Sequence, residues 1–189
     1  MKWIYRHPRL YNLLDSLISV SLSDRVRSKV LRGLRPATLL EVGIGSGRCL
    51  DHIKADFVVG VDISKPMLTF LRRRRCGIGL VIADAHGLPF KQASFDVTIF
   101  CYCLAGLARP IEAVRQALAI SSRVIIIDYN RPRIMPRLIW RWIVRGIGGL
   151  MFGSSDIDFD ALVRLGRARI TDFYMGLYRV VFLDGVRNA

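Results

Sequence analysis

Short runs of mostly apolar, β-branched residues recur along the first two thirds of the chain and predict β-strands. They read ATLLEVG (37–43), VVGVDIS (58–64), GLVIADA (79–85), FDVTIFCYC (95–103) and SRVIIIDYN (122–130). Because their apolar residues are nearly continuous instead of alternating with polar ones, we expect these strands to be buried on both faces of a sheet.

Helical patterns separate the predicted strands. They cover residues 47–55, 65–75, 109–120 and, more weakly, 88–93, and an amphipathic pattern over 9–35 predicts one or two helices ahead of the first strand. Strands that alternate with helices form a parallel sheet with right-handed crossovers.

The pattern changes after Asn130. A short helix is predicted over FDALVRLG, followed by two strand-like runs, ARITDFYMG and LYRVVFLDG, that a tight turn joins and that must pair antiparallel. The predicted fold class is α/β, with a doubly wound, mostly parallel, seven-stranded sheet and an antiparallel last strand. At 189 residues we expect one domain, with residues 1–37 as a helical lead-in and 131–157 as an insert.

A glycine-rich turn follows the first predicted strand, as Gly43-Ile44-Gly45-Ser46-Gly47. Glycines there let the chain adopt positive φ and let a ligand lie directly on the backbone. A dinucleotide-binding turn has the spacing G-x-G-x-x-G, whereas this one has G-x-G-x-G with Glu41 just before it. A carboxylate is badly placed for a pyrophosphate and well placed for the amino group and sulfonium of S-adenosylmethionine. The alternative is a tight strand-to-helix connection without a ligand.

Two further acids follow the second and third predicted strands. Asp62 is placed to accept both hydroxyls of a ribose, and Asp84 to accept from an adenine amino group, with Ile63 and Met67 on either side of the ring. Asp84 could instead simply cap the next turn. Because ligands of open α/β sheets bind beyond the carboxyl ends of the strands, the order of these features favours a cofactor site.

These motifs resemble the class I S-adenosylmethionine-dependent methyltransferases from about residue 9 onward. Glu41 to Gly47 is similar to the first family motif, VVGVDISKPML to the second, and ADAHGLPFKQASFDVTIF to the third and fourth. The lead-in YNLLDSLISVSLSDRVRSKVL is similar to the menaquinone and ubiquinone C-methyltransferases and the phospholipid N-methyltransferases. The chain is shorter than those enzymes and departs from them after the fifth strand.

The resemblance implies S-adenosylmethionine as the cofactor and a Rossmann-like methyltransferase fold. The residues expected to contact the cofactor are Tyr11, Glu41, Gly43, Ile44, Gly45, Ser46, Gly47, Asp62, Ile63, Met67, Asp84, Ala85 and Cys101. Tyr11 is included because tyrosines of this lead-in close over the cofactor in similar enzymes; a role in the core is the alternative.

No strong candidate for a general base appears in the sequence. Tyr102 and His86 are the two candidate catalytic residues, and Tyr102 could equally be a packing residue. A methyl donor that is already activated needs a base only when the acceptor must lose a proton. The signature Asn-Pro-Pro-Tyr, which marks methylation of exocyclic base amines, is replaced by Phe100-Cys101-Tyr102-Cys103.

The net charge of +14 predicts an anionic partner, either a membrane surface or nucleic acid. Residues 131–150 are rich in arginine and tryptophan, with Arg137, Arg141 and Arg145 at helical spacing, as in helices that lie in a membrane interface. A core helix with solvated arginines is the alternative. The run RRRR at 72–75 is attributed to the basic end of a helix.

The leading hypothesis is methyl transfer to a hydrophobic small molecule or lipid at the membrane surface. Methylation of RNA or another macromolecule and a non-catalytic cofactor-binding scaffold are the alternatives, with nucleic acid the less favoured partner. The four cysteines lack the spacing of a metal site, so no metal is expected. The N-terminus does not have the pattern of a signal peptide, and we expect a cytoplasmic protein, peripheral at the inner membrane face.

Overall fold

The computed structural model describes residues 6–11, 13, 22–132, 134–136, 139 and 157–185. Residues 14–21 of the lead-in lie outside the described residues, as do residues 137–156 of the insert except 139. The predicted interfacial helix with Arg137, Arg141 and Arg145 therefore also lies outside them.

All seven predicted strands are present in one sheet. Their bounds are β1 Thr38–Val42, β2 Phe57–Asp62, β3 Ile78–Ile82, β4 Phe95–Cys101, β5 Ser121–Tyr129, β6 Arg167–Phe173 and β7 Tyr178–Asp184. The strand order is β3-β2-β1-β4-β5-β7-β6. The first five strands are parallel, and β7 pairs antiparallel with both β5 and β6. The predicted fold class, including the antiparallel last strand, is confirmed.

Four α-helices and two short 3₁₀ turns have bounds within the described chain, which is also helical at residues 8–11 and 13. The helices are α1 Leu22–Leu31, α2 Lys65–Arg72, α3 Pro110–Ile120 and α4 Phe159–Val163, and the 3₁₀ turns are Arg48–Asp51 and Leu104–Gly106. Ser64 caps the start of helix α2: its hydroxyl accepts from the amide of Met67, and the helix carries a proline in its first turn.

Two helix predictions are wrong. Residues 47–55 form only the single 3₁₀ turn, because Gly47 enters it in a left-handed conformation and no side chain caps its free N–H groups. Residues 88–93 form no helix. Pro89 disfavours the helical region for Leu88, and Ala93 adopts a positive φ of 54°.

The sheet is covered on both faces by helices. One face packs Phe100, Val114, Ile126 and Leu162 with α3 and α4, and the other packs Val26, Ile99, Ile127 and Val180 with α1. Burial on both faces is confirmed for the central strands and wrong for β3, where every residue is at least partly exposed. The physical reason is its place at the edge of the sheet.

The order of the strands places a crevice between β1 and β4. The chain runs outward from β1 through β2 to β3 and then returns to β4 on the other side of β1. Helices on opposite faces therefore diverge at the carboxyl ends of these two strands, which is where open α/β sheets bind ligands. Among the helices that the structure describes, none has the length and hydrophobicity needed to cross a membrane.

Candidate functional site

A cavity of about 560 Å³ occupies this crevice. It collects residues from the ends of β1, β2, β3 and β4 together with Tyr11 and Arg27 of the lead-in. Of the predicted site residues, it is lined by Tyr11, Glu41, Gly43, Ile44, Gly45, Ser46, Asp62, Ile63, Met67, Asp84, Ala85, His86, Cys101 and Tyr102. Gly47 is the one predicted residue that does not line it.

The glycine turn forms the floor of the cavity. Gly43, Gly45 and Gly47 have φ angles of 71°, 52° and 74°, a region that favours glycine. The amides of Gly43 and Ile44 both donate to the carbonyl of Val61, at 2.8 and 3.0 Å, which ties the turn to β2. Gly47 faces away from the cavity, since a Cβ there would lie 2.8 Å from Cδ1 of Leu71. The absence of a side chain at Gly47 lets the backbone pass close to Leu71 of α2.

Glu41 is buried at the end of β1, with 3% of its surface exposed. Burial raises the pKa of its carboxyl to about 8, against smaller opposing effects of a hydrogen bond with Cys49 and the charge of Arg27. Its Oε2 atom has no hydrogen-bond partner among the described residues. An unpaired buried acceptor on a cavity wall is the group that a bound ammonium would satisfy, so this position fits the amino group of S-adenosylmethionine.

Asp62 lies at the end of β2, and both of its oxygens hold backbone. Oδ2 accepts from the amide of Gly45 at 2.9 Å, and Oδ1 accepts from the amide of Ser64 at 2.8 Å. Burial raises the pKa of its carboxyl, while these amide hydrogen bonds lower it. Since a carboxylate offers about four acceptor positions, hydrogen bonds to two ribose hydroxyls remain available.

Asp84 follows β3 in an exposed turn. Its Oδ1 accepts from the amide of His86 at 2.9 Å and lies 2.5 Å from Nδ1 of the same residue. These hydrogen bonds hold the pKa of Asp84 below its usual value. Asp84 thus caps the turn, and it also lines the cavity beside Ala85. Ile63 is 57% exposed at the rim, whereas Met67 is buried in the wall, so only Ile63 presents most of its side chain to solvent.

Tyr102 is held in the wall by aromatic packing. Its ring centroid lies 4.9 Å from that of Tyr129 and 5.9 Å from that of Tyr178. Its hydroxyl donates to the carbonyl of Ser23 at 3.4 Å. Burial, with the neighbouring Cys101, raises the pKa of Tyr102 far above its usual value. The phenol therefore keeps its proton and is unsuited to act as a base.

Arg27 of α1 is a cavity residue that the sequence interpretation missed. It is only 5% exposed, forms an ion pair with Asp24, and places its guanidinium carbon 4.7 Å from the ring centroid of Tyr102. Its Nε atom has no hydrogen-bond partner in the described part of the chain. The signal was the spacing of Ser23, Arg27 and Leu31, four residues apart, which places all three on the buried stripe of α1.

A second missed group lies at the end of β5. Asp128 is fully buried and accepts from the amides of Leu104, Ala105 and Tyr129. Burial raises the pKa of its carboxyl to about 7, while the same hydrogen bonds oppose that rise. Asp128 thereby fixes the turn whose next residues line the cavity. Cys103 also lines the cavity, and its Sγ donates to the carbonyl of Val42 at 3.1 Å.

Comparison with known proteins finds methyltransferases of the same fold. A family model described as a methyltransferase domain matches residues 40–126. A demethylmenaquinone methyltransferase of Thermus thermophilus is 25% identical over 163 residues, which cover 76% of this chain and 74% of that protein. A malonyl-[acyl-carrier protein] O-methyltransferase of Methylococcus capsulatus is 30% identical over 138 residues, or 64% of this chain and 50% of that protein.

Solved structures show the same fold. The crystal structure of a SAM-dependent methyltransferase of Thermotoga maritima superposes with a TM-score of 0.73 and covers 96% of this chain and 98% of that one, at 18% identity. At this identity the likeness concerns the fold. The family match, the named relatives and the fold together support an S-adenosylmethionine-dependent methyl transfer, with S-adenosylmethionine as the cofactor.

Proposed function

We propose that the acceptor of this S-adenosylmethionine-dependent methyltransferase is an apolar, lipid-like or quinone-like small molecule. The observation that carries the proposal is the composition of the cavity wall beyond Glu41. That wall consists of Cys101, Tyr102, Cys103, Gly106, Leu107 and Ala108. None of these six residues carries a formal charge. Arg27 and Arg48 also line the cavity, and the guanidinium of Arg27 lies over the ring of Tyr102. The six uncharged residues favour an uncharged, apolar group on their side.

The cofactor lies along the strand ends in this proposal. Glu41 binds the amino group, the glycine turn supports the methionine end, and Asp62 accepts from the ribose hydroxyls. Asp84 and Ala85 hold the adenine, with Ile63 and Met67 beside it. Adjacent strands are about 4.8 Å apart, so β3 and β1 are separated by roughly 10 Å, a span that suits an extended nucleoside.

Catalysis in this proposal depends on alignment and on exclusion of water. When bound, the cofactor supplies a methyl group that is already activated. Tyr102 keeps its proton, and His86 belongs to the adenine end because it follows β3, two strands away from Glu41. The acceptor then brings its own nucleophile, such as an electron-rich ring carbon or an amine, and the wall residues orient it toward the methyl group.

The names of relatives support an acceptor of this kind. The relatives from Thermus thermophilus and Thermotoga maritima are both named demethylmenaquinone methyltransferase, at 25% and 24% identity. We extend that name to this chain only as a class, an apolar quinone-like or lipid-like acceptor. The composition of residues 131–150, with arginines beside tryptophans, supports a peripheral site at the membrane surface.

A labelling experiment tests the acceptor class. The protein is incubated with methyl-labelled S-adenosylmethionine and a total cell extract, and the label is measured in the organic, RNA and aqueous fractions. We expect the label in the organic fraction. Label that accumulates in RNA or in the aqueous fraction would overturn the apolar acceptor while leaving methyl transfer intact.

The two glutamates of the chain provide the control for this experiment. Glu41→Gln removes the proposed anchor of the amino group, and Glu112→Gln makes the same change on α3, where the side chain forms an ion pair with Arg109. We expect Glu112→Gln to label the organic fraction as the unchanged protein does and Glu41→Gln to lose most of the label.

A further inference from the structure

We propose that a basic groove between the N-terminal segment and helix α2 docks the protein on an anionic membrane surface. The groove has a volume of about 1130 Å³ and lies outside the cofactor crevice. Its cationic side chains are Arg6 and Arg9 from the N-terminal segment and Lys65, Arg73 and Arg74 from α2 and the residues that follow it. These five residues define the basic groove.

Among the residues that the structure describes, no acidic side chain neutralises the charges of the basic groove. Its lining contains no Asp or Glu, and within the described residues none of the five cations has a carboxylate partner within 4.0 Å. All five are exposed. Arg75, one residue further on, shows the contrast, because it forms an ion pair with Asp51. The exposed charge of the groove thus remains available for an anion.

Apolar side chains accompany these cations and favour a lipid surface. Leu10 and Leu13 are 36% and 57% exposed and lie three residues apart in a helical part of the N-terminal segment, which places them on one side. Phe70 lines the groove, and the guanidinium carbon of Arg74 lies 5.2 Å from its ring centroid. Cations beside exposed leucines are what a membrane interface binds, through phosphates and the apolar region beneath them. A site that binds only phosphate would gain no affinity from exposed leucines.

The basic groove is continuous with the cofactor crevice. Phe70 and Arg74 also border a second hollow that contains Leu13, Ser46 and Arg48. Ser46 and Arg48 in turn line the crevice. A membrane bound at the groove would therefore lie near the glycine-turn side of the crevice.

This inference deepens the proposed function and rests on it for its purpose, because docking matters most when the acceptor is lipid-like. The contact is distinct from the one suggested by the composition of residues 131–150. Binding to vesicles is measured without cofactor or acceptor, so a failure of docking and a failure of methyl transfer are separate results.

The test is cosedimentation of the full chain with lipid vesicles. We expect binding to vesicles that contain phosphatidylglycerol, a decrease with added salt, and no binding to vesicles of phosphatidylcholine alone. The double substitution Arg73→Glu/Arg74→Glu should weaken binding roughly tenfold or more, and Arg73→Gln/Arg74→Gln less strongly. Leu10→Ser/Leu13→Ser should also weaken it. Circular dichroism verifies that each variant is folded.

The matched control is Arg35→Glu/Arg115→Glu, which makes the same change in net charge at exposed arginines outside the groove. Its binding should stay within a small factor of the unchanged protein. Equal losses in both charge-reversed variants would overturn the docking site, because only net charge would then matter. Unchanged binding of the leucine variant, together with full displacement of the protein from vesicles by RNA, would overturn the lipid surface as the partner.

Discussion

The carboxylate of Asp62 accepts a hydrogen bond of 2.9 Å from the amide of Gly45 and so joins the end of β2 to the glycine turn after β1. The same carboxylate accepts from Ser64 at 2.8 Å, immediately before α2. One side chain therefore fixes the backbone on which a cofactor would lie and faces the cavity that would hold its ribose.

Asp62→Ala should lower both the stability of the fold and the affinity for S-adenosylmethionine. Removing two amide hydrogen bonds that are partly shielded from water should lower the free energy of unfolding by roughly 1–3 kcal/mol. The dissociation constant for S-adenosylmethionine should rise at the same time, measured by calorimetry at a temperature where the variant is folded. Asp62→Asn should be intermediate, since its single carbonyl oxygen replaces two carboxylate oxygens.

The control for these variants is Asp56→Ala, at the exposed residue just before the other end of β2. It should change neither quantity. Cofactor affinity that survives Asp62→Ala unchanged would contradict the placement of the ribose.

Gly60 and Ile44 make a second contact between β2 and the turn. A Cβ at Gly60 would lie 2.3 Å from Cδ1 and 3.0 Å from Cγ2 of Ile44. Gly60→Ala should therefore lower the free energy of unfolding by roughly 1–3 kcal/mol in urea denaturation. In the background of Ile44→Ala, the same substitution should cost much less.

Gly79→Ala on the neighbouring strand is the matched control for this contact. A Cβ there would lie 3.4 Å from Cγ2 of Val59, an ordinary contact distance. Additive effects of Gly60→Ala and Ile44→Ala would show that the two residues do not clash, against the geometry of the turn.

The cofactor-free protein should lose stability as the pH rises from about 4 to 8. Glu41 has a pKa of about 8 in the folded protein, against an ordinary 4.5, and Asp128 about 7 against 3.8. Between these values the folded chain holds protons that the unfolded chain releases, so the free energy of unfolding falls as pH increases. Denaturation across this range measures the slope.

Glu41→Gln should flatten the upper part of that slope, because the amide does not ionise. Asp128→Asn should flatten the lower part, although its lost amide hydrogen bonds should also reduce stability at every pH. A slope that Glu41→Gln leaves unchanged would contradict the burial of an ionisable carboxyl at this position.

Arg27→Met should weaken cofactor binding by changing Glu41. The positive charge of Arg27 lowers the pKa of Glu41, so its removal should raise that pKa and shift the pH at which the cofactor binds tightly to higher values. Arg25→Met on the exposed side of the same helix should leave the pH dependence unchanged. A loss of stability without any shift in the pH dependence of binding would make Arg27 a packing residue only.

The sequence predicts the sheet well because its signals are local. Runs such as VIII at 124–127 indicate buried strands by their residue types alone, and the glycine spacing marks the turn. The acids at strand ends follow from the order of the strands, since parallel strands bring their carboxyl ends to one edge.

The features that the sequence does not predict depend mostly on contacts between distant parts of the chain. Arg27 looks like one of many surface cations until α1 packs against Tyr102. The basic groove exists only because the N-terminal segment lies near α2. The wrong helix prediction at 88–93 is a local error, since Pro89 disfavours a helix despite the apolar pattern around it.

Calorimetric titration of S-adenosylmethionine into the purified protein tests the central claim most directly. The unchanged protein and Glu112→Gln should bind with equal affinity, and Glu41→Gln should bind roughly tenfold to a hundredfold more weakly, because it loses a charged hydrogen bond. Absence of binding to the unchanged protein, or equal affinity in all three proteins, would contradict the cofactor site described for this cavity.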